Sequence, residues 1–291
     1  MKKSIQTALE KIGDPSEIKE MKSVSGGQIN DSYYVRTNEH EWFIKMNSRA
    51  GEGFFQSEAL GLNLLKEVGQ ARVPEVKGVF KEEKDHPAML ILEWIEEGRE
   101  PVNQEELGRM VARMHCATSR FAGLKEDNFV GELPQINQQN EDWVQFYGEN
   151  RLMPQAKIAK EKGYFNGARE KSFNKVIEFL DRWIGHGPSF SLLHGDLWSG
   201  NFLSDEQGKP VLIDPAVSYG DREADLAFTE LFGGFSPGFY EAYKEFSPLE
   251  EGYTERKPIY QLYYLLIHLN IFGEMYGPSV DRILNFYAGK L

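Results

Sequence analysis

Residues 194–201 read His-Gly-Asp-Leu-Trp-Ser-Gly-Asn, and thirteen positions beyond Asn201 the apolar run Val211, Leu212, Ile213 ends in Asp214, followed by Pro215. Side chains of these types in this order suit phosphoryl transfer. A hydroxyl that attacks the γ-phosphate of ATP needs a carboxylate to take its proton and Mg²⁺ to neutralise charge on the phosphate oxygens. Asp196 fits the first task, and Asn201 with Asp214 the second, as metal ligands. The His-x-Asp-x-x-x-x-Asn spacing lets one tight loop aim the base at the acceptor while turning the Asn oxygen toward a metal. Read separately, His-Gly-Asp is a polar turn after Ser191, Leu192 and Leu193, and Asp-Pro is a strand terminator. It is the ordered pair of motifs that points to chemistry.

Such a loop needs a lobe to hold the nucleotide, and residues 1–93 read as one rich in strands. A glycine turn, Gly26 and Gly27 followed by Gln28, Ile29 and Asn30, precedes two alternating stretches at 32–36 and 41–46 that form a hairpin pattern. Backbone N–H groups of such a turn can approach phosphate oxygens because no Cβ intervenes, although a glycine pair alone only marks a turn. Residues 54–65 carry apolar positions at helical spacing and are the one convincing early helix. Lys45 on the second strand and Glu58 on this helix have the order of a lysine that touches the α/β-phosphates and the glutamate that holds it. Two further strands are expected at 73–80 and 88–93.

Periodicity is then lost over residues 94–103, which form either an ordinary interlobe linker or a connector whose backbone pairs with adenine. In the second case the Glu93 carbonyl and the Ile95 N–H, flanking Trp94, are the groups to watch. Residues 104–291 read as mostly helical. Asn103 to Glu106 resembles a capping box, and Leu107, Met110, Val111 and Met114 share a helix face. His115 beside that stripe reads as packed or hydrogen-bonded. Residues 122–140 are irregular and suit a long loop at a substrate cleft. Helices are expected at 142–162, 173–184, 223–232, 237–246, 258–272 and 280–287, with Gly233 and Gly234 as a helix terminator. The fold class is therefore α+β in two lobes, a small β-rich one and a larger helical one.

The chain has 291 residues, 41% hydrophobic and 27% charged, and a formal net charge of −12. That balance suits a globular protein and argues against a nucleic-acid partner, since phosphate backbones attract clustered Lys and Arg. No apolar run reaches membrane length and no secretory signal is evident at the start, so a cytoplasmic protein with no membrane partner is expected. The lone cysteine, Cys116, reads as a packed small hydrophobe, and six scattered histidines offer no zinc cluster.

With these residues placed, the chain resembles the fructosamine (ketosamine) kinase family, within the aminoglycoside-phosphotransferase branch of protein-kinase-like folds. The resemblance rests on Ser25 to Asn30, Phe43 to Asn47, Glu58 with Gly61 and Leu62, residues 194–201, Asp214 to Ala216, and Tyr219 to Ala227. His-Gly-Asp is shared by many small-molecule kinases; Leu197, Trp198, Ser199 and Gly200 inside the loop narrow the match. It implies an ATP- and Mg²⁺-dependent kinase acting on a sugar hydroxyl, typically O3, of ribulosamines or fructosamines, free or on glycated protein, with deglycation following spontaneously. An aminoglycoside or other small-alcohol kinase is the alternative, and a non-catalytic nucleotide-binding regulator a more distant one. The resemblance makes Asp196 the base, Asn201 and Asp214 the metal ligands, Lys45 the phosphate contact and Glu58 its partner. Trp198 would lie under the sugar, unless it only packs the loop. Asp221 is a candidate substrate contact, with an N-cap or an ion pair to Arg222 as the alternative. Gly195 stands where regulated protein kinases carry an arginine, so constitutive competence is expected. Gln28 replaces a cysteine found in some members, so a redox-linked dimer through that turn is not expected; the oligomeric state, and the preferred sugar and amine, are left open.

Overall fold

The computed structural model describes residues 1–24, 30–48, 53–83 and 86–290, so Gly26, Gly27, Gln28 and Ile29 lie outside the described residues. The N-terminal lobe is an antiparallel sheet in the spatial order β1 (Glu20–Ser23), β2 (Asp31–Arg36), β3 (Glu41–Asn47), β5 (Ala88–Glu93), β4 (Val76–Phe80). Strand alternation sends Val35, Trp42, Ile44, Met46, Met89 and Ile91 to one face, where Ile5, Ala8 and Leu9 of α1 (Lys2–Lys11) cover them. Helix α1 was not expected from the sequence. Its apolar positions are few among polar and charged residues and no side chain caps its start, so little in the sequence announced it. Leu90 and Leu92 face the other way, onto Phe55, Leu62 and Leu65 of α2 (Phe54–Glu67).

After the connector, α3 (Gln104–His115) begins at Asn103, whose side chain accepts the Glu106 N–H at 3.0 Å. Its apolar stripe is buried. Cys116, expected to be packed, is instead exposed at the helix end, because two steps past Met114 rotate it off that stripe. The chain then runs through β6 (Thr118–Ser119) into residues 122–140, which hold a short hairpin, β7 (Asn128–Val130) and β8 (Leu133–Gln135). A π-turn over Gly148–Leu152 joins α4 (Trp143–Tyr147) to α5 (Met153–Glu161), and α6 (Gly167–Glu178) and α7 (Leu180–Ile184) follow.

β9 (Phe190–Leu193) is the centre of a three-stranded sheet with β6 and β12 (Ser218–Asp221), and β10 (Phe202–Ser204) pairs with β11 (Pro210–Leu212) between them in sequence. The tail is helical: α8 (Glu223–Thr229), α9 (Pro237–Phe246), α10 (Tyr253–Phe272) and α11 (Gly277–Ala288). Helix α10 is apolar on nearly every side because it runs through the lobe's core, with Ile259, Leu262, Leu266 and Leu269 fully buried. It starts five residues before Pro258, where proline's preference for the first turn had suggested a beginning. Gly252 in the left-handed region and the bidentate pair of Arg256 with Glu223, both contacts 2.7 Å, secure the extra turn. Among the described residues no helix is long and apolar enough to cross a membrane.

Candidate active site

β9 ends at Leu193, and the next two residues are clamped from below. Both carboxylate oxygens of Asp225, fully buried on α8, accept backbone N–H groups: His194 at 2.7 Å and Gly195 at 2.9 Å. His115 Nε2 lies 3.2 Å from the same carboxylate, and its Nδ1 2.7 Å from the Tyr243 hydroxyl. His194 Nε2 donates to the Ile213 carbonyl at 2.9 Å, so Nδ1 is free to accept the Asp196 N–H at 3.3 Å. Burial holds the His194 pKa below its usual range, which keeps that ring neutral. Gly195 is left-handed at φ 81°, and a Cβ there would lie 2.0 Å from the Ala216 carbonyl oxygen. No side chain, arginine included, fits at 195 while the two loops stay bridged by the Ala216 N–H on the His194 carbonyl, 2.9 Å.

The clamp delivers Asp196 into a cleft. Its Oδ2 accepts the Asn201 amide at 2.8 Å, and its main-chain carbonyl accepts the same amide nitrogen at 2.8 Å. Burial pushes the Asp196 carboxyl up to about 7, against the Asn201 hydrogen bond that lowers it. Since the nitrogen of Asn201 is committed to Asp196, its oxygen is the atom left for a cation. Asp214 follows β11 with φ 54°, a left-handed conformation that a short polar residue tolerates and a β-branched one resists. Its Oδ1 lies 2.5 Å from Lys45 Nζ, and Glu58 Oε1 lies 2.7 Å from the same nitrogen. Burial works against the Lys45 ammonium, but the two carboxylates outweigh it and hold its pKa above the ordinary value. Helix α2 approaches closely enough for this because Gly61 faces Pro215 and Val217; a Cβ there would come within 3.0 Å of a Val217 methyl.

A cavity of about 400 Å³ gathers Lys45, Glu58, Asp196, Trp198, Asn201 and Asp214, with Asn128 to Gly131 of the β7–β8 turn on one side and the last residues of α10 on another. Trp198 is 39% exposed there, its indole laid over Gly200, where any Cβ would meet the ring at 2.4 Å. Gly234, expected to end a helix, lies beyond the end of α8, which stops at Thr229, and backs this loop: a Cβ on it would lie 2.3 Å from that of Ser199. Asp221 is the correction. It is buried outside the residues that line the cavity, accepting the Glu223 N–H at 3.0 Å and the Tyr260 hydroxyl, with His186 Nε2 at 3.1 Å. Its side chain is turned into the core and accepts from Glu223, while Arg222 holds the N-cap position of α8 and bonds to Ser247, so Asp221 sits outside the cavity without being the cap. The connector groups do not line this cavity either. Glu93 binds Arg72 at 2.7 Å, Trp94 donates to Glu96 at 2.8 Å and packs edge-on to Tyr34, and Ile95 is buried.

Asp225 carries more of the site than its place inside the block Tyr219 to Ala227 suggested. The signal that marks it is its setting between small and apolar residues, Ala224, Leu226 and Ala227, which buries whatever stands there. Phe232, His268, Phe272 and Tyr276 line the cavity without any motif to announce them.

A family model for fructosamine kinase matches residues 1–288. A probable ketoamine kinase of Enterococcus faecium is 42% identical over 90% of this chain and 92% of its own length. The chloroplastic protein-ribulosamine 3-kinase of Arabidopsis thaliana is 37% identical over 96% of this chain and 86% of its own. Among solved structures, a Haemophilus somnus protein assigned as a fructosamine-3-kinase superposes with a TM-score of 0.88 at 32% identity, covering 98% of this chain and 97% of that one. A choline kinase of Streptococcus pneumoniae, at 18% identity and a TM-score of 0.65 over 99% of both chains, shares the fold.

Proposed function

The chain belongs to the fructosamine kinase family, and on that premise we propose how its cleft performs the transfer and where on the acceptor it acts. It is an ATP-dependent phosphotransferase that phosphorylates a sugar hydroxyl of ketosamines. The observation that carries the mechanism is the Asp196 carboxylate, held by Asn201 at 2.8 Å, in one cavity with the Lys45 to Asp214 pair.

Asp196 takes the proton of the attacking hydroxyl. Burial has raised its basicity toward neutrality, which matches the base to a weakly acidic alcohol better than an ordinary carboxylate would. Asn201 fixes which oxygen faces the acceptor. Lys45, held by Glu58, presents its ammonium to the phosphates, and the connector's Glu93 carbonyl and Ile95 N–H receive adenine. Asn201 and Asp214 offer an amide and a carboxylate oxygen, the hard donors that Mg²⁺ takes. When bound, Mg²⁺ supplies neutralisation of charge on the phosphate oxygens. Trp198 covers the C–H face of the sugar. The reacting hydroxyl is O3, the position in the name of the Arabidopsis relative, and a cytoplasmic setting, where ATP is abundant, goes with this reading.

The test is transfer of phosphate from Mg·ATP to ribuloselysine, fructoselysine, kanamycin, choline and free sugars, with Asp196→Asn as control and the product position read by NMR. Transfer to the ketosamines at O3, lost in the control, is expected. Transfer to kanamycin or choline alone overturns the acceptor assignment, and ATP binding without transfer to any acceptor overturns the mechanism.

A further inference from the structure

The β7–β8 hairpin spends its side-chain donors on a distant part of the chain. Asn128 Nδ2 donates to the Val217 carbonyl at 2.8 Å and Gln135 Nε2 to the Ala216 carbonyl at 3.0 Å, across 89 and 81 residues. Both side chains are buried. Asn128 Oδ1 accepts from Gln135 Nε2 at 2.8 Å and from Asn137 Nδ2 at 2.7 Å, which ties the amides into one unit. That unit is footed in the helical lobe. The Tyr263 hydroxyl of α10 donates to Gln135 Oε1 at 2.9 Å, and buried Arg151 donates to Asn137 Oδ1 at 2.8 Å and to the Ile136 carbonyl. Each of these amide groups has a partner at both its oxygen and its nitrogen, the condition under which a buried polar network is rigid.

What the hairpin holds is the segment that carries Asp214. The Ala216 N–H is bonded to the His194 carbonyl at 2.9 Å, so Gln135 takes the other side of the same residue. Asp214 is left-handed at φ 54°, a conformation that a residue other than glycine keeps only where its surroundings over-determine it. The bonds to Ala216 and Val217 supply that constraint on its C-terminal side. They fix backbone and leave the Asp214 carboxylate in the cavity. From Val217 the constraint passes to the N-terminal lobe, because its methyls face Gly61 of α2. Phe129 of β7 packs on Phe54 of the same helix, ring centroids 5.0 Å apart. The residue types suit the task. A carboxylate has no hydrogen to give a carbonyl, and a lysine or arginine would set a second cation beside Asp214 in competition with Lys45, whereas a neutral amide holds the carbonyl and leaves the charge of the site unchanged.

Resting on the reading of Asp214 as a metal ligand, we propose that Asn128 and Gln135 are positioning residues for phosphoryl transfer. Their amides make the β7–β8 hairpin a strut that sets the Asp214 backbone against α2, and so fixes the metal-binding carboxylate relative to Lys45 and Glu58.

The test reads the affinity for Mn²⁺, standing in for Mg²⁺, of the full chain saturated with the non-hydrolysable ATP analogue AMP-PNP, by the electron paramagnetic resonance of the free ion. Hydrogen exchange of the segment 213–218 is followed alongside. Gln135→Met removes the donor at nearly the same volume. It should weaken Mn²⁺ about 10-fold or more, the usual cost of losing a group that orients a metal ligand, and speed exchange in that segment while β9 and α10 keep theirs. Tyr263→Phe keeps its ring in the core, should move both readouts the same way by less, and decides the matter if Gln135→Met does not fold. Asp214→Asn is the reference and should weaken Mn²⁺ most. Unchanged Mn²⁺ affinity and exchange in the two strut variants, with Asp214→Asn still weakening the ion, overturns the strut and leaves the metal reading in place. A lower melting temperature with Mn²⁺ affinity unmoved assigns the amides to packing alone and overturns it too. Mn²⁺ affinity unmoved by Asp214→Asn overturns the metal reading and the strut with it, whatever the other variants show.

Discussion

Asp225 and Asp214 are both aspartates that hold the catalytic cleft together, yet they are built in opposite ways. Asp225 is fully buried and spends its oxygens on two backbone N–H groups and His115, so its bonds are part of the core. Asp214 sits on an open loop, with its side chain 43% exposed, and shares a lysine with Glu58. A backbone clamp of the first kind fixes where Asp196 is. An ion pair of the second kind can exchange partners when phosphate oxygens arrive, since its geometry is set by two flexible side chains. On the roles proposed above, rigidity is placed under the base and exchangeable charge under the nucleotide.

The largest expected effect tests what the rigid side delivers. Asp196→Asn should lower kcat by roughly 10²–10⁴ with ATP binding kept, the usual contribution of a general base. It should also melt at a higher temperature than the parent at pH 8. The folded carboxyl titrates near 7, above its unfolded value, so ionisation works against the fold once the pH passes that range. The gain should therefore fade as the pH falls toward the ordinary carboxylate range, and a lower melting temperature at pH 8 would contradict the buried, strained carboxylate.

Next in size is Asp225→Asn. An amide cannot accept both backbone N–H groups, so about 2–4 kcal/mol of stability should be lost in denaturant unfolding, with activity falling in parallel. Retained stability with lost activity would mean that Asp225 belongs with the exchangeable set. A smaller effect is expected in the pH profile. Asp196 must be ionised to accept a proton, so kcat/KM should rise with pH through about 7. Asn201→Ala removes a hydrogen bond that lowers this pKa and should move the acid limb to higher pH; an unmoved limb would assign the limb to another group. The smallest is Gly61→Ala, where the added methyl meets movable Val217 and Pro215 side chains at 3.0 and 3.3 Å. It should raise KM for ATP a few-fold, by easing α2 and Glu58 away from Lys45, and cost about 1 kcal/mol or less in stability.

That Asp196, Asn201 and Asp214 meet in one cavity was legible because they sit at spacings that a short backbone path enforces. Lys45 and Glu58 were readable only through their order on a strand and a following helix, and the structure joins them at 2.7 Å. Asp221 and Asp225 show where such reading stops. Both are carboxylates near the start of one helix, and nothing in their types tells that one turns to Tyr260 and the other under His194. Helix α1 was hidden by its few apolar positions. The rings that line the cavity were hidden for the opposite reason: α10 is apolar all round, so Phe272 at its open end reads like Leu269 in its core, which is fully buried.

The position of the indoles has an optical consequence. Of the five tryptophans, Trp42 and Trp143 are buried in the two lobes' cores, while Trp198 faces the cavity and Trp94 lies in the connector. Emission from Trp198 should change when an acceptor covers its ring, and that from Trp94 when adenine reaches the connector. Two of the five tryptophans would therefore report on substrates, one on each, and replacing either with phenylalanine would let the order of binding be followed in real time without any label.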